Sequence, residues 1–271
     1  MGYNAPETRS FVQHRQIGIP NSTGRRPDGD RPTREDGMRI GFVQFAPALG
    51  DLSATMQKIE RLVAYCDETD LLVLPELCNS GYNFETAEQA WSTSEALDDG
   101  VFVQFLVSLC RQKQMHLVSG LNERDGDRLY NSAVLVGPEG TIGRYRKLHL
   151  FLNEKDHFQP GDGGLPVFDI GPCRVGMLVC FDWLFPEVWR ILALQGADVI
   201  CHPSNLVLPG LAQRAAPIHA LTNRVYVVTA NRVGGERDLT FTGLSTIADP
   251  RGQVLVQASD SQEEVGLIEA D

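Results

Sequence analysis

The chain has 271 residues, of which 42% are hydrophobic and 22% charged, enough to build a large buried core in one α/β domain or two smaller ones. Its formal net charge is −11 at pH 7, and only four lysines are present, Lys58, Lys113, Lys147 and Lys155. A protein that binds nucleic acid or an anionic membrane needs a basic face to neutralise phosphates. The composition therefore predicts neither nucleic acid nor a membrane as a partner.

The cysteine pattern indicates a reducing compartment. The six cysteines are scattered, with no CxxC pair and no dense framework, which is typical of reduced thiols buried as small apolar residues. No apolar run approaches the roughly 20 residues that a membrane helix needs. The N-terminus lacks the apolar core of a signal peptide. Together these features predict a cytoplasmic protein.

Residues 1–37 differ in composition from the rest of the chain. They are rich in Pro, Gly, Asn, Ser and Arg and contain few aliphatic side chains. Such a stretch cannot bury enough apolar surface to offset the entropy lost on ordering. We predict that 1–37 form a disordered or extended segment and that one domain covers 38–271.

From Met38 onward, short apolar runs alternate with segments of helical periodicity. Strands are predicted at 38–45, 71–75, 116–121, 131–136, 173–180, 198–202, 225–230 and 252–257. Helices are predicted near 53–68, 98–114, 186–195 and 212–224. The alternation indicates an α/β fold with βαβ units around a mainly central sheet. Successive strands over 116–136 and 225–257 indicate hairpins, so this sheet is expected to be mixed.

Reactive side chains follow three of these segments. Glu76 comes directly after Leu-Leu-Val-Leu-Pro, Lys147 lies in a mixed basic and apolar turn, and Cys180 ends the run Val-Gly-Met-Leu-Val. Ligands of α/β sheets bind beyond the carboxyl ends of the strands, where Glu76 and Cys180 are expected. Taken singly, each residue has an ordinary structural explanation: a solvated carboxylate, a solvated basic turn or an inert buried thiol.

Together the three residue types can perform acyl transfer without a metal or an organic cofactor. A thiol attacks as the thiolate, and a nearby ammonium lowers its pKa. A carboxylate can take the thiol proton, pass it to a leaving amine and then activate water. The ammonium and a backbone N–H can stabilise the oxyanion. His149 and His157 match no familiar zinc spacing with Cys180, so no metal site is predicted.

Three longer segments resemble the signature segments of the nitrilase superfamily, the carbon–nitrogen hydrolases. They are Leu-Pro-Glu-Leu-Cys-Asn-Ser-Gly-Tyr (74–82), Tyr-Arg-Lys-Leu-His-Leu (145–150) and Cys-Phe-Asp-Trp-Leu-Phe-Pro-Glu (180–187). They occur in the family's order and spacing, and His-Pro-Ser-Asn (202–205) also matches a family segment. One such segment would be weak evidence, but the resemblance extends over essentially all of 38–271.

The resemblance implies both a fold and a set of roles. The implied fold is an αββα sandwich that pairs across a helical face into an αββααββα homodimer, which can assemble further. Glu76 is implied as general base and acid, Lys147 as stabiliser of the tetrahedral intermediate and Cys180 as nucleophile. The backbone N–H of Phe181 would complete the oxyanion hole. Glu154 matches a second family glutamate that positions the substrate and the other active-site groups.

The same resemblance places Trp183 and Asn205 at the substrate pocket. The residues that follow Cys180 indicate which bond is cleaved. Strict nitrilases usually carry Cys-Trp-Glu, whereas Cys180-Phe181-Asp182 is closer to the Cys-Tyr-Asp of amidase-like branches. The longer string also resembles compact archaeal-type members, some of them described as aliphatic nitrilases. The motif favours hydrolysis of a small amide to carboxylate and ammonia through a Cys thioester. A nitrile substrate, an N-carbamoyl substrate and a catalytically silent binding scaffold remain alternatives.

Overall fold

The computed structural model describes residues 37–271. In this part of the chain, two six-stranded sheets pack face to face and carry helices on their outer faces. The segment predicted to be disordered or extended, 1–37, lies outside the described residues except for Gly37. No helix of the described part is long and apolar enough to cross a membrane.

The first sheet contains the N-terminal half of the fold and one C-terminal strand. Its strands are β1 (Met38–Gln44), β2 (Leu71–Val73), β3 (His116–Asp125), β4 (Arg128–Gly137), β5 (Gly140–Arg146) and β14 (Glu264–Ala270). Their spatial order is β14-β1-β2-β3-β4-β5. The three neighbours β1, β2 and β3 run parallel, and the outer pairs are antiparallel.

The second sheet repeats this plan. Its strands are β6 (Val167–Asp169), β7 (Arg174–Met177), β8 (Val199–Pro203), β9 (Tyr226–Ala230), β12 (Thr246–Ala248) and β13 (Val254–Gln257). Their spatial order is β13-β12-β9-β8-β7-β6, with β7, β8 and β9 parallel in the middle. A short hairpin of β10 (Gly235–Glu236) and β11 (Leu239–Thr240) lies outside both sheets.

The apolar runs are continuous because both faces of each central strand are buried. In β1, Ile40 and Phe42 pack in the core between the two sheets, whereas Val43 packs in the separate core beneath the outer helices. In β2, Leu71 packs in the core between the two sheets, and Leu72 packs in the core beneath the outer helices. Successive side chains of a strand point to opposite faces, so a strand between two layers needs apolar residues throughout.

Within residues 37–271, five α-helices complete the layers. They are α1 (Leu52–Val63), α2 (Ala87–Ser92), α3 (Val101–Lys113), α4 (Pro186–Leu194) and α5 (Leu211–Asn223). Apolar residues of α1 and α3 cover the first sheet, and those of α4 and α5 cover the second. The Asp51 side chain accepts the N–H of Ala54 and so caps α1. Pro186 occupies the first turn of α4, where a missing N–H costs no hydrogen bond.

The two-sheet architecture confirms the sandwich implied by the family resemblance, and the prediction of a single central sheet from strand–helix alternation is wrong. Each half of the chain forms its own parallel centre, and antiparallel strands extend it to the sheet edges. The strands β5, β6, β12 and β14 were not predicted. Much of β5 and β6 is exposed or only partly buried, and their sequences lack a long apolar run.

Candidate active site

Glu76, Lys147 and Cys180 lie just beyond the ends of β2, β5 and β7, so the site draws on both sheets. All three residues are buried, with exposed fractions of 0%, 1% and 4%. Among residues 37–271, no group of three or more His, Cys, Asp or Glu side chains could hold a metal ion. All six cysteines are free thiols.

The turn that carries Glu76 is fixed by both sheets. The N–H of Gly120 donates to the Pro75 carbonyl at 3.0 Å, and the N–H of Cys78 donates to the Gly120 carbonyl at 3.1 Å. A Cβ on residue 120 would lie 2.3 Å from the Cα of Glu76, so only glycine permits this approach. From the second sheet, Asn205 Nδ2 donates to the Glu76 carbonyl at 3.0 Å.

The Lys147 ammonium bridges two buried carboxylates. Its Nζ lies 2.7 Å from Oε1 of Glu76 and 2.7 Å from Oε1 of Glu154. Asn131 Nδ2 donates to the same oxygen of Glu76 at 2.7 Å, and the Tyr82 hydroxyl donates to Glu154 Oε1 at 2.7 Å. Within the described residues, Oε2 of Glu76 has no hydrogen-bond partner. This oxygen is therefore free to accept a proton.

The charged groups of Lys147 and Glu76 shift each other's pKa values toward the charged forms. Burial disfavours the Lys147 ammonium, but the carboxylates of Glu154 and Glu76 outweigh that effect and raise the pKa of Lys147. Burial also raises the pKa of Glu76, and the Lys147 ammonium opposes that rise. Lys147 is thus a fixed positive charge at neutral pH, whereas Glu76 is a carboxyl group that binds a proton more readily than an exposed one.

Cys180 lies in a strained turn, which we call the nucleophile turn (residues 179–182). Its φ is +43°, in the left-handed region that favours glycine. Asp182 Oδ2 accepts the N–H of Val179 at 3.0 Å, and the N–H of Asp182 donates to the Val179 carbonyl at 3.1 Å. His202 Nε2 lies 2.9 Å from the Cys180 carbonyl oxygen. Hydrogen bonds on both sides of Cys180 therefore maintain its backbone strain.

The thiol of Cys180 is protonated at rest. Burial raises its pKa well above the usual range, the Glu76 carboxylate adds to this, and the Lys147 ammonium opposes it only in part. The Lys147 ammonium lowers this pKa as expected, but burial and the carboxylate outweigh it, so the net shift of the Cys180 pKa is upward. Attack by the sulfur therefore requires a base that removes the thiol proton as the new bond forms.

A small cavity of about 10 Å³, the size of about one water molecule, adjoins Cys180. Its walls include Phe151, Phe181, Trp183, Asn205 and Val207. Trp183 and Asn205, both predicted at the pocket, do lie beside Cys180. The Oδ1 atom of Asn205 is buried and has no hydrogen-bond partner within residues 37–271. Phe151 and Val207 also line a wider cavity of about 460 Å³, which therefore adjoins the site.

Sequence reasoning missed three residues that organise the site: Tyr82, Asn131 and His202. Asn131 and His202 lie inside the apolar strands β4 and β8 and are at most 1% exposed. A polar residue within an apolar strand needs a buried partner, and this could have marked both positions. Tyr82 ends the first signature segment, but nothing in the sequence connects it with Glu154.

Acid should destabilise the protein through His202. Burial lowers the pKa of His202 from 6.5 to about 4. Between these values the unfolded state binds a proton that the folded state does not, so stability falls as pH falls. From pH 7.5 to 4.5 this contribution is about 2 to 3 kcal/mol. Urea unfolding at both pH values measures it. The loss should shrink by that amount in His202→Gln, and an equal loss in both proteins would contradict the assignment.

Comparison with known proteins places this fold in the nitrilase superfamily. An amidase from Nesterenkonia sp. AN1, solved in complex with acrylamide, superposes with a TM-score of 0.76 at 26% identity, covering 90% of this chain and 94% of that one. The family model for carbon–nitrogen hydrolases matches residues 39–271, and the chain belongs to that family.

Two curated relatives have different printed activities. A nitrilase from Pyrococcus abyssi (strain GE5 / Orsay) is 50% identical over 236 residues, which is 86% of this chain and 90% of the relative. An (R)-stereoselective amidase from Pseudomonas sp. is 38% identical over 230 residues, covering 82% of this chain and 81% of the relative. These relatives and the family support hydrolysis of a carbon–nitrogen bond.

Proposed function

We propose that this protein hydrolyses a small amide to the carboxylate and ammonia through a thioester on Cys180. The observation that carries the proposal is the buried Lys147 ammonium between Glu76 and Glu154, with one oxygen of Glu76 unpartnered. This arrangement provides a base, a fixed positive charge and a thiol within one water-poor site. It matches the roles of base, oxyanion stabiliser and nucleophile in acyl transfer.

The first half of the reaction forms the thioester. Glu76 takes the thiol proton while the sulfur of Cys180 bonds to the amide carbon and the C=O π pair moves onto oxygen. Lys147 and the N–H of Phe181 stabilise this oxyanion. The proton then passes from Glu76 to nitrogen, the C–N bond breaks, ammonia leaves and the carbonyl re-forms.

The second half releases the acid. Glu76 removes a proton from water while the water oxygen bonds to the thioester carbon, giving a second oxyanion at the same place. The carbon–sulfur bond then breaks, and Glu76 returns the proton to sulfur. The enzyme regains its starting protonation state, so one water is consumed for each amide.

A nitrile is the second candidate, because the relative from Pyrococcus abyssi that is 50% identical is named a nitrilase. The amidase solved with acrylamide favours an amide, as does the Cys-Phe-Asp string. Ammonia release from a panel of short amides, ω-amides, N-carbamoyl compounds and nitriles decides between them. Turnover of short amides is expected, and turnover of nitriles with none of amides would overturn the amide proposal.

Asn205 is proposed to bind the substrate through its free Oδ1. This atom can accept an N–H of the amide, whereas Nδ2 is already bonded to the Glu76 carbonyl. Replacing Asn205 with leucine should lower kcat/KM for butyramide about tenfold more than for methyl butyrate, which has no N–H to donate. Steady-state kinetics on the two substrates measure the ratio. Equal losses would mean that Asn205 acts only by holding Glu76.

We further propose a homodimer formed through α4 and α5. Large apolar side chains are exposed on or beside these helices: Leu184, Ile191, Leu194, Leu211, Ile218 and Leu221. An apolar patch of this kind is typical of an interaction surface. The double substitution Leu194→Glu and Ile218→Glu should give a monomer in sedimentation equilibrium, while Val101→Glu, at an exposed position of α3, should stay dimeric. A monomeric wild type, or a dimeric double variant, would contradict this interface.

A further inference from the structure

His202 contacts the backbone of the nucleophile turn rather than the thiol. Its Nε2 lies 2.9 Å from the Cys180 carbonyl oxygen, and its Nδ1 lies 3.1 Å from Oγ1 of Thr229. A carbonyl oxygen can only accept a hydrogen bond, so Nε2 carries the ring proton and the Thr229 hydroxyl donates to Nδ1. The side chain is fully buried, and its pKa of about 4 keeps the ring neutral at neutral pH.

The carbonyl bound by His202 belongs to the same peptide unit as the N–H of Phe181. A trans peptide is planar, with C=O and N–H pointing in opposite directions, so fixing one direction fixes the other. A hydrogen bond to the carbonyl also polarises the peptide and strengthens its N–H as a donor.

Cys180 also begins a short 3-10 helix (Cys180–Leu184), which supports this peptide through the backbone, and His202 adds the side-chain contact to its carbonyl. Asp182 binds the N–H of Val179, which lies two peptide units earlier. Cys180 has a φ of +43°, a conformation that the backbone does not keep without support. His202 therefore helps to fix the orientation of the Cys180–Phe181 peptide through its carbonyl.

We propose that His202 is a positioning residue that aims the Phe181 N–H at the oxyanion by holding the Cys180 carbonyl. The inference rests on the proposed function, because an oxyanion forms there only when Cys180 attacks a carbonyl carbon. It assigns His202 an effect on the tetrahedral state and none on the reactivity of the thiol itself.

Two substitutions separate the two contacts of His202. In His202→Gln, the amide nitrogen can take the place of Nε2 and still donate to the Cys180 carbonyl. In His202→Asn, the shorter amide can reach Thr229 but not that carbonyl. Both variants put a neutral polar group in the same buried space, so they are matched in burial and differ in the contact that matters.

Two probes report on the tetrahedral state and on the thiol separately. Butyraldehyde adds to Cys180: the sulfur bonds to the aldehyde carbon, the C=O π pair moves to oxygen, and the thiol proton goes to Glu76 or to that oxygen. This adduct needs the oxyanion hole. Iodomethane alkylates the sulfur by displacing iodide while the thiol proton goes to Glu76, and it has no carbonyl that could form an oxyanion. Inhibition by the aldehyde and the rate of alkylation are measured on the same protein samples.

His202→Asn should bind butyraldehyde about 10- to 100-fold more weakly and lose a similar factor in kcat for butyramide, with KM and the alkylation rate near the wild type. His202→Gln should bind the aldehyde nearly as well as the wild type. Wild-type aldehyde affinity in His202→Asn, or equal losses in the two variants, would overturn the proposal. So would a parallel fall in alkylation, which would mean that His202 positions the thiol.

Thr229→Val keeps the proposal testable if His202→Asn fails to fold. It removes the contact at Nδ1 and leaves the Cys180 carbonyl bound, so its loss of aldehyde affinity should be well below tenfold. A larger loss with normal alkylation would contradict the role of the carbonyl contact. Failure of the proposed function would look different, because the wild type itself would then neither hydrolyse butyramide nor bind butyraldehyde.

Discussion

Replacing Cys180 with alanine should lower amide turnover by about 10⁴-fold or more while the protein stays folded. Without the sulfur no thioester can form, and the remaining groups can only polarise the amide or bind it. The substitution removes one buried atom next to a small cavity, so the fold should survive. Ammonia release under saturating butyramide and circular dichroism measure the two quantities.

Cys66→Ala is the matched control for this substitution. Cys66 is also a buried free thiol, 1% exposed, but it lies after α1 in the core beneath the outer helices of the first sheet. We expect Cys66→Ala to lose some stability and no activity. Substantial turnover by Cys180→Ala would remove the nucleophile from the proposal, whatever the substrate.

Replacing Lys147 with methionine should abolish activity and destabilise the fold by about 3 to 5 kcal/mol. Both effects follow from its two contacts of 2.7 Å, because its loss leaves Glu76 and Glu154 facing each other without a cation. One carboxyl group would then keep a proton at neutral pH. Urea unfolding measures the stability, and the same ammonia assay measures the activity.

The double variant Lys147→Met with Glu154→Gln separates the two effects. It removes one carboxylate with the ammonium, so part of the lost stability should return while activity stays absent. Lys113→Met is the surface control: its 2.7 Å ion pair with the exposed Asp67 should contribute at most about 1 kcal/mol. A Lys147→Met variant as stable as Lys113→Met would contradict the electrostatic account of the site.

The sequence was sufficient to predict most strands and helices and the three residues at the centre of the site, Glu76, Lys147 and Cys180. Apolar runs such as that of β2 identify a strand that is buried on both faces. Glu76 follows this run directly, and a carboxylate so close to the core needs a buried partner, which marks Glu76 as a candidate site residue. The division into two sheets could not be read from alternation alone, because edge strands such as β5 are partly exposed and carry weak patterns.

The site residues that the sequence did not predict make their contacts with segments that are distant along the chain. Asn131 on β4 reaches Glu76, and His202 on β8 reaches the Cys180 carbonyl, so each role depends on strand pairing that no local pattern shows. The direction in which the Cys180 pKa shifts could not be predicted from the sequence either, because it depends on the burial of the thiol and on the charges around it. The sequence suggests an ammonium near the thiol, but only the structure shows that burial and the Glu76 carboxylate outweigh it.

The most direct test of the central claim is the covalent state of Cys180 during turnover. Wild-type protein is mixed with butyramide, quenched in acid on the timescale of turnover, digested and examined by mass spectrometry. We predict a butyryl group on the peptide that contains Cys180, formed as ammonia is released and absent in Cys180→Ala. Ammonia release while Cys180 stays unmodified, or a butyryl group on a different residue, would contradict it.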